Sequence, residues 1–272
     1  MKRTLFSFLM LSVAAGFAAA QTADAVAVAP APAPAADQQS RWGLGIGAAV
    51  SDSVYAGEGT RVTPFPLISY DSDLLFWRGI GGGAHILRRG GLSIDATLSA
   101  RMDGIDRDDF GAAELAERGV NRALLEDRDD GLDAGLTVQW RGAFGQLEAG
   151  VKGDVTGTSK GFEASVKYAY PFQLGGTRIS PNIGVSHMSK KLANYYFGTL
   201  PEEVARGVIH YEPGSATVPR IGIDVVHPIN KRWTLIGNVS YKRLPGKLSD
   251  SPLVEKDTDG NVSAFIGLSR GF

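Results

Sequence analysis

A period of two, sustained over segments roughly ten residues long, constrains this chain more than any other feature. In the segment 91–102, Leu92, Ile94, Ala96, Leu98 and Ala100 alternate with Ser93, Asp95, Thr97, Ser99 and Arg101. In 131–141, Leu132, Ala134, Leu136, Val138 and Trp140 alternate with Asp133, Gly135, Thr137, Gln139 and Arg141. Segments 145–156, 160–172, 177–188, 217–228 and 232–244 continue the pattern. So does the end of the chain, where Val262, Ala264, Ile266, Leu268, Arg270 and Phe272 alternate with Ser263, Phe265, Gly267, Ser269 and Gly271. Successive side chains of a strand point to opposite faces, so each segment has one apolar and one polar face.

Strands of soluble sandwiches run about 5–6 residues, whereas about 9–11 are needed to cross a bilayer at a tilt. The mean hydropathy is close to zero, and after residue 20 no apolar run is long enough for a membrane helix. A chain that hides its hydrophobicity in alternation is the signature of a membrane β-barrel. The expected fold is therefore all-β: an antiparallel transmembrane β-barrel in the outer membrane of a Gram-negative bacterium. Ile266, Leu268 and Phe272 lie on the strand expected to close it, and outer-membrane lipid and the barrel assembly machinery are its first expected partners.

Composition excludes several alternatives. There are no cysteines, which removes disulfides and thiolate metal sites. A formal charge of −1 gives no sign of a nucleic-acid partner, and His85, His187, His210 and His227 lack metal-ligand spacing. Neither a metal nor a cofactor is expected. Lys2 and Arg3, the apolar run Leu5–Phe17 and Ala18-Ala19-Ala20 read as a signal peptide over 1–20. Residues 21–40, with Pro30, Pro32 and Pro34, read as an Ala/Pro periplasmic linker, which leaves 41–272 for the barrel.

Counting back from Phe272 gives ten strands, the last two near 74–88 and 62–71. Ten is the favoured even number and twelve the alternative, because 42–50 also alternates but needs a partner that the pattern does not reveal. Pro64 and Pro66 suit an edge better than a central ladder. Residues 103–130, 189–216 and 245–258 become extracellular loops, and 103–130, rich in carboxylates, reads as a solvated loop with a short helix between Phe110 and Leu125. The polar faces carry Asp95, Asp133, Glu148, Asp154, Glu163 and Asp224 against Arg101, Arg141, Lys152, Lys167, Arg178, Arg220 and Lys242. Such balance predicts a lumen-facing charged network in a narrow, mostly filled barrel; a selective pore shows one sign in excess.

Several pieces together resemble the MipA/OmpV family. They are Pro64-Phe65-Pro66-Leu67-Ile68-Ser69-Tyr70, Phe76-Trp77-Arg78-Gly79-Ile80-Gly81-Gly82-Gly83, Pro181-Asn182-Ile183-Gly184-Val185 and Asn194-Tyr195-Tyr196-Phe197-Gly198. Glu202, Glu203, Arg206, Tyr211-Glu212-Pro213, Tyr241-Lys242-Arg243-Leu244 and Ser251-Pro252-Leu253-Val254 complete the ordered set. The resemblance implies an outer-membrane protein and a scaffold contacting a murein lytic transglycosylase and a murein synthase. Other members imply a narrow pore or an adhesin-like surface, and the family offers no catalytic residues. Arg270 departs from it, standing where an aromatic is usual. Among the loop residues, Tyr195, Tyr196, Phe197, Tyr211 and Glu212 either cap the barrel or form an extracellular recognition surface. The remote enzymatic alternative is a lipid A deacylase-like pair, His187 and Ser189, placed two apart on one strand face, where a base next to a serine would activate it.

Overall fold

The computed structural model describes residues 41–272; the signal peptide and linker expected over 1–40 lie outside the described residues. Thirteen β segments form one antiparallel sheet that closes on itself. The first five are β1 (Trp42–Asp52), β2 (Thr60–Asp71), β3 (Leu75–Arg78), β4 (Gly81–Arg89) and β5 (Leu92–Arg101). After a long loop come β6 (Gly131–Gly142), β7 (Gly145–Asp154), β8 (Phe162–Ala169), β9 (Phe172–Leu174) and β10 (Thr177–Met188). The last three are β11 (Ala216–Pro228), β12 (Trp233–Arg243) and β13 (Gly260–Gly271). Both β8 and β9 pair with β10, interrupted near Pro171, which has no amide to donate. Thirteen segments thus make a twelve-stranded barrel, closed by β1 against β13 from Gly43↔Gly271 to Ser51↔Ser263.

Twelve replaces the favoured ten. The segment 42–50 is β1, and its missing partner is inside 74–88, which is a hairpin rather than one strand. Gly79 turns it with φ of +60°, so Arg78 pairs with Gly81. Because β3 has only four residues, it meets β2 over Ser69–Asp71 alone. Along the rest of β2 the amides of alternate residues face away from β1. Asp71 donates to Arg41 on the β1 side, whereas the carbonyl of Ile68 accepts from Gly79 on the other. Pro64 and Pro66 share the parity of Ile68, so neither removes a bond from the β1–β2 ladder.

The outer face carries the apolar half of each strand. Ile46 is 74% exposed and Val62 64%, with Leu136, Val151, Ile183, Ile221 and Ile266 also exposed. Soluble monomers rarely expose an apolar surface of this extent, and lipid is the solvent that removes its cost. Trp42, Trp77, Trp140, Phe144, Phe172, Trp233 and Phe272 gather at the end carrying the short turns, as an interfacial girdle. Arg270 also projects outward there, its guanidinium 4.9 Å from the ring centre of Phe272 and 6.0 Å from that of Trp233. Cation–π contact holds this charge at the interface.

Inside, the wall near the seam is lined with glycine because aromatic rings lie flat against it. Phe65 stacks on Phe265 at 5.4 Å, and a Cβ added at Gly47 would stand 2.7 Å from Cε2 of Phe265. One added at Gly267 would stand 2.5 Å from Cδ1 of Leu67.

Candidate functional site

At the end opposite the short turns, four loops fold together over the lumen. The segment 102–130 contains helix α1 (Ala112–Glu117), and 189–215 contains α2 (Lys190–Phe197) and α3 (Pro201–Ala205). The loop after β12 contains α4 (Gly246–Ser249), and the fourth loop is 53–59. One apolar cluster unites Tyr55, Ile105, Phe110, Leu115, Val120, Leu125, Val208 and Leu253. A second unites Val54, Met188, Leu192, Tyr196, Val218, Leu244, Leu248 and Val254. Backbone bonds join the loops as well: Ala56 donates to Leu253, Gly111 to Ala56 and Glu255 to Val54. The loop 103–130, expected to be solvated, instead contributes five residues to the first cluster.

Arg128 and Glu203 hold this cap together. Arg128 is 2% exposed and Glu203 0%. Nη1 donates to Glu203 Oε1 at 2.8 Å and Nη2 to Oε2 at 3.0 Å. The remaining donors go to the carbonyls of Tyr195, Glu126 and Gly198, so all five N–H groups of the guanidinium are used. Glu203 also accepts from the amides of Glu126 and Leu200. One ion pair thereby ties the 102–130 loop to the 189–215 loop. Sequence reasoning missed it, having weighed only the carboxylates of the loop 103–130.

Beneath the cap, Arg101, Asp133, Lys152 and Glu163 meet. Arg101 Nη2 is 2.6 Å from Asp133 and 3.0 Å from Glu163, while Nη1 is 2.8 Å from Asp103. Lys152 Nζ lies 3.6 Å from Asp133 and 3.7 Å from Glu163. The cavity between this cluster and Tyr55, Tyr196 and Leu248 holds only about 80 Å³, well below the roughly 300 Å³ at which ligand pockets begin.

The other charged positions are dispersed along the lumen. Asp224 accepts from Asn182 at 3.1 Å and from Asn238 at 2.6 Å, and Glu148 accepts from Gln139 at 2.9 Å. Lys167 is the register partner of Glu148, and Lys242 that of Arg220. Asp95 bonds His85 at 2.6 Å. Among the described residues Asp154 has no cationic partner; its carboxylate accepts from the amides of Thr156, Gly157, Ser159 and Lys160 and organises the β7–β8 turn. Arg141 and Arg178 sit near the short-turn end.

The aromatic loop residues belong to the cap. Tyr196 is buried and accepts a bond on its carbonyl from Tyr55 Oη at 3.0 Å. Tyr195 Oη accepts from the amide of Asp129 at 2.8 Å, and Phe197 packs against the second cluster. Tyr211 Oη donates to the carbonyl of Lys247, and exposed Glu212 pairs with Lys190 at 2.8 Å. His187 and Ser189 do not meet. His187 faces outward with Nδ1 2.9 Å from Thr217 Oγ1, while buried Ser189 accepts from the amides of Phe162 and Leu192 as the N-cap of α2. Among the described residues no cluster of His, Asp or Glu is arranged to hold a metal ion.

The description "MltA-interacting protein MipA" matches residues 44–272. This chain belongs to the MipA family. It is 29% identical over 231 residues to the MltA-interacting protein of Escherichia coli K12, spanning 84% of this chain and 90% of that one. It is 26% identical to the putative outer membrane protein YiaT of the same strain over 80% of this chain and 86% of that one. Outer membrane protein OmpV of Vibrio cholerae is 28% identical over 52% of this chain and 55% of its own. Family and fold together place this chain in the outer membrane of a Gram-negative bacterium; barrels of this kind carry their short turns on the periplasmic side.

Proposed function

We propose that this member of the MipA family is a closed, non-enzymatic barrel that docks murein-remodelling enzymes, a lytic transglycosylase and a murein synthase, at the inner surface of the outer membrane. The observation that carries this reading is the cap. An extracellular mouth sealed by two apolar clusters and a buried ion pair suits a platform better than a conduit. Nothing in the site supplies a nucleophile with its base, since Ser189 is occupied as a helix cap. The name of the Escherichia coli relative supports a partner from murein metabolism. Contact has to come from the periplasmic turns or from residues 21–40. The test is co-purification from detergent-solubilised envelopes with a lytic transglycosylase. Retention lost when 21–40 is deleted or Phe144 and Ile229 are replaced by Ser supports docking. A barrel that folds and retains no murein enzyme refutes it.

The second reading is a narrow pore, favoured by the charges that line the lumen. It requires the cap to open.

A further inference from the structure

Among the described residues, the carboxylates on the periplasmic third of the lumen are all engaged, and two of the arginines there are paired with none of them. Asp71 is held by Arg78 Nη2 at 2.7 Å and Arg88 Nη2 at 3.0 Å. Asp95 is taken by His85, and Glu148 by Gln139 with Lys167 opposite. Arg141 shares the face of Gln139 and makes one bond, from Nη2 to Gln139 Oε1 at 3.1 Å. Arg178 shares the face of Asn182, which reaches Asp224 across the wall. No carboxylate lies within ion-pairing range of either arginine among the described residues, and Arg178 Nε is buried without a partner. Arg78 and Arg88 are close enough to repel Arg141, and Arg141 to repel Arg178, while Glu148 and Asp95, both already engaged, attract Arg141 more weakly.

Guanidinium groups gathered with no carboxylate in ion-pairing contact raise the local potential and offer forked donors matched to paired oxygens. We propose that the periplasmic vestibule of the lumen is a binding site for a small anion carrying carboxylate or phosphate oxygens, clasped by Arg141 and Arg178. The cap closes the far end, so the anion enters and leaves from the periplasm and is bound rather than passed on. This role is separate from the docking of murein enzymes and does not depend on it.

Titration calorimetry on the barrel refolded in detergent micelles tests it, with inorganic pyrophosphate and citrate as probes at constant ionic strength. At least one probe binds saturably to the unaltered protein. Its affinity falls at least tenfold in Arg178→Gln and in Arg141→Gln, and stays the same in Arg89→Gln, which removes an equal charge from the outer side of the rim. Binding of pyrophosphate alone assigns phosphate chemistry, and of citrate alone carboxylate chemistry. Arg178→Lys, which keeps the charge and loses the fork, binds more weakly than the unaltered protein if the geometry matters. No saturable heat in the unaltered protein, or an equal loss in Arg89→Gln, overturns the proposal.

Discussion

Replacing Glu203 by Gln removes one charge from the centre of the cap and keeps its shape. The amide still fills the site, but Arg128 remains, 2% exposed, with its counter-ion gone. Two bonds between opposite charges, at 2.8 and 3.0 Å, become at best one bond to a neutral acceptor, because the Gln nitrogen donates where an acceptor is needed. The same nitrogen then opposes the amide of either Glu126 or Leu200, both of which now donate to the carboxylate. Removing one partner of a buried pair costs about 3–5 kcal/mol. Because the pair bridges two loops rather than two strands, the loss falls on cap opening. At roughly 1.4 kcal/mol per factor of ten, the open cap becomes between about a hundredfold and a few thousandfold more populated. Hydrogen exchange read by mass spectrometry checks this. Amides in 102–130 and 189–215 exchange faster by that factor, while amides of β6, β7 and β12 do not change. Glu202→Gln, on the exposed neighbour, is the control and shifts exchange by less than threefold. Equal exchange in Glu203→Gln and the unaltered protein refutes the keystone role. Uniform acceleration across the strands refutes the independence of cap and barrel.

Three further outcomes follow from named contacts. Ser189→Ala removes the N-cap of α2 and costs about 1 kcal/mol locally, read as faster exchange in α2; lipid A from cells expressing either form has the same acyl chains by mass spectrometry. Gly47→Val drives a side chain into Phe265 and destabilises the barrel by about 1–3 kcal/mol, read as a lower urea midpoint for the heat-modifiable gel band. Asp106 and Asp130 both titrate above the usual carboxylate range. Burial is the larger cause; for Asp106 the charges of Asp127 and Asp109 add to it, and for Asp130 that of Asp103, against a lowering bond from the Gly104 amide. The folded cap therefore holds protons that the unfolded loop has released, so its stability falls as pH rises through the window just above the ordinary carboxylate pKa of about 3.9. The near-ultraviolet melting point of the cap tyrosines is higher at pH 4 than at pH 7, and Asp106→Asn with Asp130→Asn flattens the difference.

The barrel was legible in the sequence because one chemical rule, apolar toward lipid and polar toward the lumen, is written at every second residue of each strand. The two strands that escaped the favoured count show where that rule goes silent. Across Gly79-Ile80 the phase of the alternation flips, since Arg78 and Gly81 share a face. Gly81, Gly82 and Gly83 carry no side chains to report the flip, so a hairpin reads as a single strand. The cap was illegible for a different reason. Its loop 103–130 is crowded with carboxylates, most of which face water, and these hide the buried residues Ile105, Phe110, Leu115, Val120 and Leu125. These recur at every fifth position, a spacing that belongs to no single element and becomes meaningful once a helix and two tight turns fold it. Glu203 was visible only as part of the family resemblance, because a buried ion pair between loops 75 residues apart leaves no periodicity. Pro64 and Pro66 could be read, since a residue without an amide restricts where its strand can pair.

Single-channel recording of the refolded protein in a planar bilayer is the most direct test of the closed barrel. The unaltered protein, inserted and heat-modifiable on gels, gives no conductance steps, and Glu203→Gln gives intermittent ones as its cap opens. Stable, reproducible open steps from the unaltered protein would contradict a lumen sealed by its cap.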